Sequence, residues 1–153
     1  MDSRIDTYHH IQVVRDLLRR IIVDLAHRQQ VHDQSKLVSP EVEVFDEFTP
    51  KLKASTYGSD EYKSFLVTMK PALDHHYAAN DHHPEHYAGG MLDMTLVSLL
   101  EMLVDWKAAT MRHDDGDIRE SIEVNQKRFG YSDELKRIFL NTLPILEGDG
   151  AQI

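Results

Sequence analysis

The chain has 153 residues, the usual length of one domain, and a net charge of −9 from 17 basic and 26 acidic side chains. This acidic balance argues against duplex nucleic acid and anionic membranes as partners, because both are bound mainly through basic patches. The chain has no cysteine, which excludes disulfides and thiol catalysis, and no apolar run of the roughly 18 residues that span a membrane, so we expect a cytoplasmic protein.

The first predicted helix covers residues 5 to about 29, where apolar residues recur at steps of three and four. His10 lies on the same face as Val14, so we predict that its side chain points into a core. The polar junction that follows the helix carries His32 and Asp33.

Two further helices are predicted in the next third of the chain. Ser39 is followed by proline and glutamate, a typical helix start, and this second helix is expected to end near Phe48, before Pro50. Ser59 opens a third helix, in which Pro71 is expected to cause a kink or a restart.

Residues 80–90 lack periodicity and are predicted to form a loop. Asp93 is expected to cap a long fourth helix that ends near residue 113. The fifth helix, 118–129, stops at a glycine, and Ser132 caps a sixth. No segment has the alternation of a strand, so we predict one all-α domain over residues 1–153, a bundle of about six helices.

Histidine is the unusual residue of this composition. The chain has ten histidines, and three His-His pairs occur, at 9–10, 75–76 and 82–83, where composition alone predicts roughly 0.6. Imidazoles interleaved with carboxylates are ligands for Zn, Fe, Mn, Co or Ni, and the lack of cysteine favours the harder of these ions.

Four groups at helical positions are the first candidate ligands. Asp105 lies midway along the most apolar helix, where a carboxylate requires a cation or hydrogen bonds. Together with His10, His32 and Asp33 it forms a set that is able to converge inside a bundle.

The order His, then His-Asp, then Asp on an all-α domain resembles the HD superfamily of metal-dependent phosphohydrolases. Residues 32–36 (His-Asp-Gln-Ser-Lys) resemble its His-Asp-x-Gly-Lys element, with Ser35 where glycine is common. Residues 101–112 resemble the helix that carries the last metal aspartate, although Ala108 stands where a second acid is common. The run from about residue 9 to 130 also looks like a small HD-like family of phages and bacteria, which implies a bacterial or phage-infected cell.

The resemblance implies one divalent metal ion, which His10, His32, Asp33 and Asp105 would hold and which activates water for attack on phosphorus. Residues 82–85 (His-His-Pro-Glu) are similar to an element of the HD-GYP branch that binds extra metal. A second ion is therefore expected on ligands that include His76 and His82, with the choice between each of these and its neighbour in the His-His pair left open. Mn, Fe, Co, Ni or Zn are expected, with Mg also possible.

The resemblance further assigns groups around the metal. Asp33, Lys36 and Glu85 are the predicted catalytic residues: Lys36 as a fixed cation for the phosphate and Glu85 as a proton carrier. Lys36, His83 and Arg112 are the predicted contacts to the substrate.

The predicted function is hydrolysis of a phosphate ester of a nucleotide or similar small molecule, with nucleoside monophosphates favoured. The alternatives are a cyclic mononucleotide or dinucleotide phosphodiesterase, an HD-type di-iron oxygenase, and a non-catalytic helical module that a metal stabilises. The expected partner is a small phosphorylated substrate, and a homo-oligomer is compatible with the sequence.

Overall fold

The computed structural model describes residues 3–55, 59–112 and 116–148, and within these ranges the chain forms helices and turns without a strand. The predicted all-α class is confirmed. None of the helices in the described ranges is long and apolar enough to cross a membrane. The described part of the chain contains six α-helices: α1 (Ser3–Val31), α2 (Glu41–Ala54), α3 (Asp60–Ala79), α4 (Leu96–Thr110), α5 (Ile118–Phe129) and α6 (Asp133–Glu147). Three short 3₁₀ helices lie at Gln34–Leu37, Pro84–His86 and Gly90–Asp93.

The chain divides into two compact units, Met1–Gln34 and Ser35–Ile153. The first unit contains α1 and the three residues 32–34 that follow it. The second contains α2 to α6, with α2 packed against α3, and with α4, α5 and α6 packed against one another. The prediction of a single domain over residues 1–153 stays a prediction.

The core of the second unit lies between α4, α5 and α6. Apolar residues at helical spacing on these three elements place their side chains on facing stripes, as the periodicity predicts. Tyr131 closes one end of this core, and its hydroxyl donates to the carbonyl oxygen of Ile122 at 2.6 Å. Burial raises the pKa of Tyr131 far above the usual phenolic value, so it stays neutral. The buried core residues are Met102, Leu103, Ile118, Ile122, Tyr131, Phe139 and Leu143.

Several predicted helix ends are confirmed by local hydrogen bonds. The hydroxyl of Ser59 accepts from the backbone nitrogen of Tyr62 at 3.1 Å, and that of Ser132 accepts from Leu135 at 3.3 Å. Gly130 ends α5 with a φ of 68°, a left-handed conformation that glycine adopts without steric cost.

The predicted end of α2 at Phe48 is wrong. The helix continues through Pro50 to Ala54, and its N-cap position is Pro40 rather than Ser39. A proline removes one backbone donor, and here packing offsets that loss: Phe48 is buried, and its ring lies 5.9 Å from that of Phe65 on α3.

Pro71 likewise lies inside an uninterrupted α3, so the predicted restart is not observed, and the predicted kink stays a prediction. The predicted start of α4 is also wrong, because Thr95 rather than Asp93 accepts from a backbone nitrogen of the first turn, that of Ser98, at 3.0 Å. Asp93 instead accepts from the backbone nitrogen of Gly89 at 2.7 Å. The helix ends at residue 110 and not near residue 113, and residues 113–115 lie outside the described ranges.

Candidate metal centre

Three histidines converge in the second unit, where α3 ends and the chain turns. His76 lies in the last turn of α3, and His82 and His83 follow just before the 3₁₀ helix Pro84–His86. One ring nitrogen of each lies within 4.8 Å of a ring nitrogen of the other two. His76 and His82 are each only 2% exposed, and His83 is half-buried. We refer to these residues as the three-histidine cluster.

Local hydrogen bonds build the turn that forms the cluster. The side-chain amide of Asn80 donates to the carbonyl oxygen of His76 at 2.8 Å, which satisfies an acceptor at the end of α3. Further along, the ring Nδ1 of His86 donates to the carbonyl oxygen of Tyr77 at 2.8 Å. The chain therefore folds back on α3, and the ring of His83 lies 4.8 Å from that of His76.

A buried carboxylate lies behind His76. Glu41, the first residue of α2, is fully buried, and its Oε2 lies 2.9 Å from Nδ1 of His76. Its Oε1 lies 2.7 Å from Nδ1 of His75, and the hydroxyl of Ser35 donates to Oε2 at 3.0 Å. Burial alone would raise the pKa of the Glu41 carboxyl, but its three hydrogen bonds outweigh that effect and lower the pKa below its usual value.

Glu41 therefore links the stability of the protein to acid pH. Because its pKa is lower in the folded state than the unfolded value of 4.5, its stabilising contribution is present above that pH and is lost as the pH falls through the folded pKa. We expect the excess unfolding free energy of the wild type over Glu41→Gln to shrink as the pH falls below 4.5 and through the lower folded-state pKa. Urea unfolding of both proteins across this range measures it, and a constant difference contradicts the assignment.

A second carboxylate lies beside His82. Glu101 on α4 places Oε1 3.4 Å from Nδ1 of His82, and its side chain is 11% exposed. Two of the three clustered imidazoles thus have a carboxylate next to Nδ1. This is the outer-shell arrangement that commonly orients histidine ligands toward a metal ion.

The donor set of the cluster fits a divalent transition metal. Imidazole nitrogens suit Zn, Cu, Fe and Ni, whereas Mg prefers oxygen ligands. The Nε2 atoms of His76 and His83 are 2.9 Å apart. Two nitrogens bound to one ion at roughly 2.05 Å lie about 2.9 Å apart in octahedral and about 3.3 Å apart in tetrahedral geometry. The separation of these two nitrogens is therefore compatible with a shared ion.

The structure thus brings together two of the predicted metal ligands, His76 and His82. His83, predicted as a substrate contact, lies in the same cluster. Of the pair His75 and His76, between which the sequence left the choice open, His76 belongs to the cluster. His75 instead contacts the other oxygen of Glu41, and its side chain is 45% exposed.

The other predicted ligands are distributed over both units. His10 is exposed on α1, a helix with no buried residue, so its predicted position in a buried face is not observed. The apolar stripe that led to that prediction is itself exposed. His32 and Asp33 follow α1, with Nε2 of the former 3.7 Å from Oδ2 of the latter, and Asp33 has a φ of 56°. Asp105 is half-buried on α4 of the second unit. Joint metal binding by these four residues stays a prediction.

The remaining predicted site residues lie on the second unit. Lys36 is half-buried, with Nζ 5.4 Å from the ring centroid of Phe45. Glu85 accepts from Nη2 of Arg128 at 2.6 Å. Arg112 is exposed and follows the end of α4, so its predicted place on that helix beyond Asp105 is wrong.

Sequence reasoning missed the residues that support the cluster. Glu41 has the local signature of an acid in the first turn of a helix, a common stabilising position, and nothing nearby in sequence indicates its contact with α3. The spacing of four between His76 and Asn80 was the one available signal, because residues four apart share a helix face. Glu101 carried no comparable signal.

Comparison with known proteins leaves the activity open. Neither the curated proteins nor the solved structures contain a match to this chain. A family profile covers residues 1–147, nearly the whole sequence. The chain therefore belongs to DUF5662, a family of unknown function.

Proposed function

We propose that this protein is a metal-dependent phosphohydrolase, with a transition-metal ion held by His76, His82 and His83. The observation that carries the proposal is the convergence of three imidazoles, two of them buried, with carboxylates beside two of the rings. The substrate class comes from the resemblance to the HD superfamily: a phosphate ester of a nucleotide or similar small molecule, with nucleoside monophosphates favoured.

A bound ion would supply Lewis-acid polarisation of a water and of the phosphoryl group. The protein supplies the rest of the site. His76, His82 and His83 would hold the ion, and the first two of these side chains are buried while the third is half-buried. Lys36 provides a cation for the phosphate. The ion that the resemblance implies on His10, His32, Asp33 and Asp105 belongs to the same proposal.

Glu85 and Arg128 have a role in this proposal as a pair. Nη2 of Arg128 donates at 2.6 Å to the carboxylate of Glu85, the group that we expected to carry protons. Arg128 remains 56% exposed while it is paired, so its guanidinium is accessible to an anionic substrate. Proton transfer by Glu85 then requires that a substrate phosphate replaces the carboxylate on Arg128.

A di-iron oxygenase is the second candidate, because imidazole and carboxylate groups together also suit iron. It differs from the hydrolase in the metal that copurifies and in its reaction with phosphate esters. Iron content together with an optical charge-transfer band identifies it.

The hydrolase is tested on protein that has been stripped with a chelator and reloaded with one ion at a time. We expect phosphate release from nucleoside monophosphates with Mn, Co, Ni or Zn at a rate at least ~10-fold above that with Mg, because the donors are imidazole nitrogens. A panel of nucleotides and cyclic nucleotides measures this. If no ion supports phosphate release, the hydrolase proposal is refuted. If the protein shows an iron charge-transfer band and hydrolyses no phosphate ester, the oxygenase is favoured instead.

A further inference from the structure

Glu41 is completely buried, and both oxygens of its carboxylate lie within hydrogen-bond distance of donor groups. Its Oε2 contacts Nδ1 of His76 at 2.9 Å, and the hydroxyl of Ser35 donates to the same oxygen at 3.0 Å. A buried carboxylate without donors would be strongly destabilising, so this position requires its partners.

The hydrogen atoms around His76 are constrained by the acceptors nearby. An ionised carboxylate has no proton to donate, so the 2.9 Å contact requires that Nδ1 of His76 carries the hydrogen. The side-chain nitrogen of Asn80 also lies 3.1 Å from Nδ1 of His76, but it does not need the lone pair of that atom as an acceptor. The two hydrogens of its amide have other acceptors, the hydroxyl oxygen of Ser35 and the carbonyl oxygen of His76, each at 2.8 Å.

The opposite nitrogen of His76 then has only a lone pair in the neutral ring. This Nε2 atom faces the cluster, since it lies 2.9 Å from Nε2 of His83. In the other tautomer Nε2 would carry a hydrogen, and a metal ion would be repelled from the ring.

We propose that Glu41 is the positioning residue of the metal centre: it accepts the Nδ1 hydrogen of His76 and so holds that imidazole in the tautomer that binds metal through Nε2. This inference rests on the proposed metal site at the three-histidine cluster. Glu41 is the only member of this arrangement from α2, so the first turn of α2 sets the donor atom of a ligand on α3. Outer-shell partners of this kind raise the affinity of a metal site by about 10–100-fold.

The tautomer is measured on metal-free wild-type protein with ¹⁵N-labelled histidine, by long-range ¹H–¹⁵N correlation at about pH 8, where a histidine of ordinary pKa is neutral. We expect the hydrogen of His76 on Nδ1 and a bare Nε2. A hydrogen on Nε2, alone or together with one on Nδ1, overturns the proposal. This measurement needs no variant and no bound ion.

Metal affinity provides the second measurement, with Co²⁺ as the probe and calorimetry or its visible absorption as the readout. Glu41→Gln keeps the shape of the side chain and removes its charge, and we expect Co²⁺ to bind about 10–100-fold more weakly. Glu43→Gln is the matched control, because Glu43 lies in the same first turn of α2 and is exposed. It should bind Co²⁺ like the wild type.

The outcomes separate the two proposals. Equal Co²⁺ affinity of Glu41→Gln and wild type, or an equal loss in Glu43→Gln, refutes the role of Glu41 and leaves the metal site intact. No Co²⁺ binding by the wild type refutes the metal site. Tight Co²⁺ binding that depends on Glu41, in a protein that hydrolyses no phosphate ester, refutes the hydrolase and supports this inference. Far-UV circular dichroism verifies that each variant is folded.

Discussion

Replacing His76 or His82 by alanine should weaken Co²⁺ or Zn²⁺ binding by more than ~100-fold, beyond the effect of losing an outer-shell partner. Each change removes one of three nitrogens that lie within 4.8 Å of one another. With two imidazoles left, the ion gains too little to offset the loss of its water ligands at this site. Calorimetric titration of the chelator-treated protein measures the affinity, and the metal content after gel filtration provides an independent check.

His86→Ala is the matched control for these variants. His86 belongs to the same histidine-rich segment but is exposed, and its Nδ1 donates to the carbonyl oxygen of Tyr77 rather than facing the cluster. We expect its metal affinity to stay within about threefold of the wild type. His82→Ala with wild-type affinity would remove this residue from the site, and a loss in His86→Ala equal to that in His76→Ala would indicate non-specific binding by the segment.

The features that sequence predicted well are those set by neighbours along the chain. The caps at Ser59 and Ser132 depend on backbone nitrogens three residues away, and Gly130 ends its helix through its own φ angle. The histidine pair at 82–83 was visible as a local excess. Each of these signals lies within a few residues, where spacing alone determines which groups meet.

The features that sequence failed to predict depend on contacts between distant residues. Glu41 meets His76 across 35 positions, and only the packing of α2 against α3 brings them together. Pro50 lies inside α2 because tertiary packing offsets a lost backbone hydrogen bond. The inward-facing position predicted for His10 rested on periodicity, which identifies an apolar face but not whether that face is buried.

In the candidate site, the imidazole nitrogens and the carboxylates beside them come from different parts of the chain. The three nitrogens come from one short stretch, 76–83, so a single turn sets their mutual distances. The carboxylates come from α2 and α4, which lie on the two sides of that stretch in sequence. The proposed metal binding would therefore require that two separate helices hold the histidine turn in place. A change on α2 or α4 that leaves the histidines in place should still lower the affinity.

Leu143→Ala should be among the most destabilising single changes in this protein. Leu143 on α6 is completely buried in the core formed with α4 and α5. Truncation of a buried leucine removes apolar contacts and leaves a cavity, and it costs about 2–5 kcal/mol of unfolding free energy. For a chain of this length the expected fall in Tm is on the order of 10 °C. Thermal unfolding followed by circular dichroism, together with urea unfolding, measures both quantities.

Ile145→Ala on the same helix is the control, because the side chain of Ile145 is 72% exposed. Its loss should change the unfolding free energy by less than ~1 kcal/mol, since an exposed side chain leaves no cavity. A similar fall in Tm for both variants would mean that α6 packs in a different register from the one described. The pair also separates stability from function. Leu143 lies in the core rather than in the three-histidine cluster, so the Leu143→Ala variant, where it remains folded at low temperature, should bind Co²⁺ like the wild type. Bound Co²⁺ should then raise the Tm of the wild type and of Leu143→Ala alike.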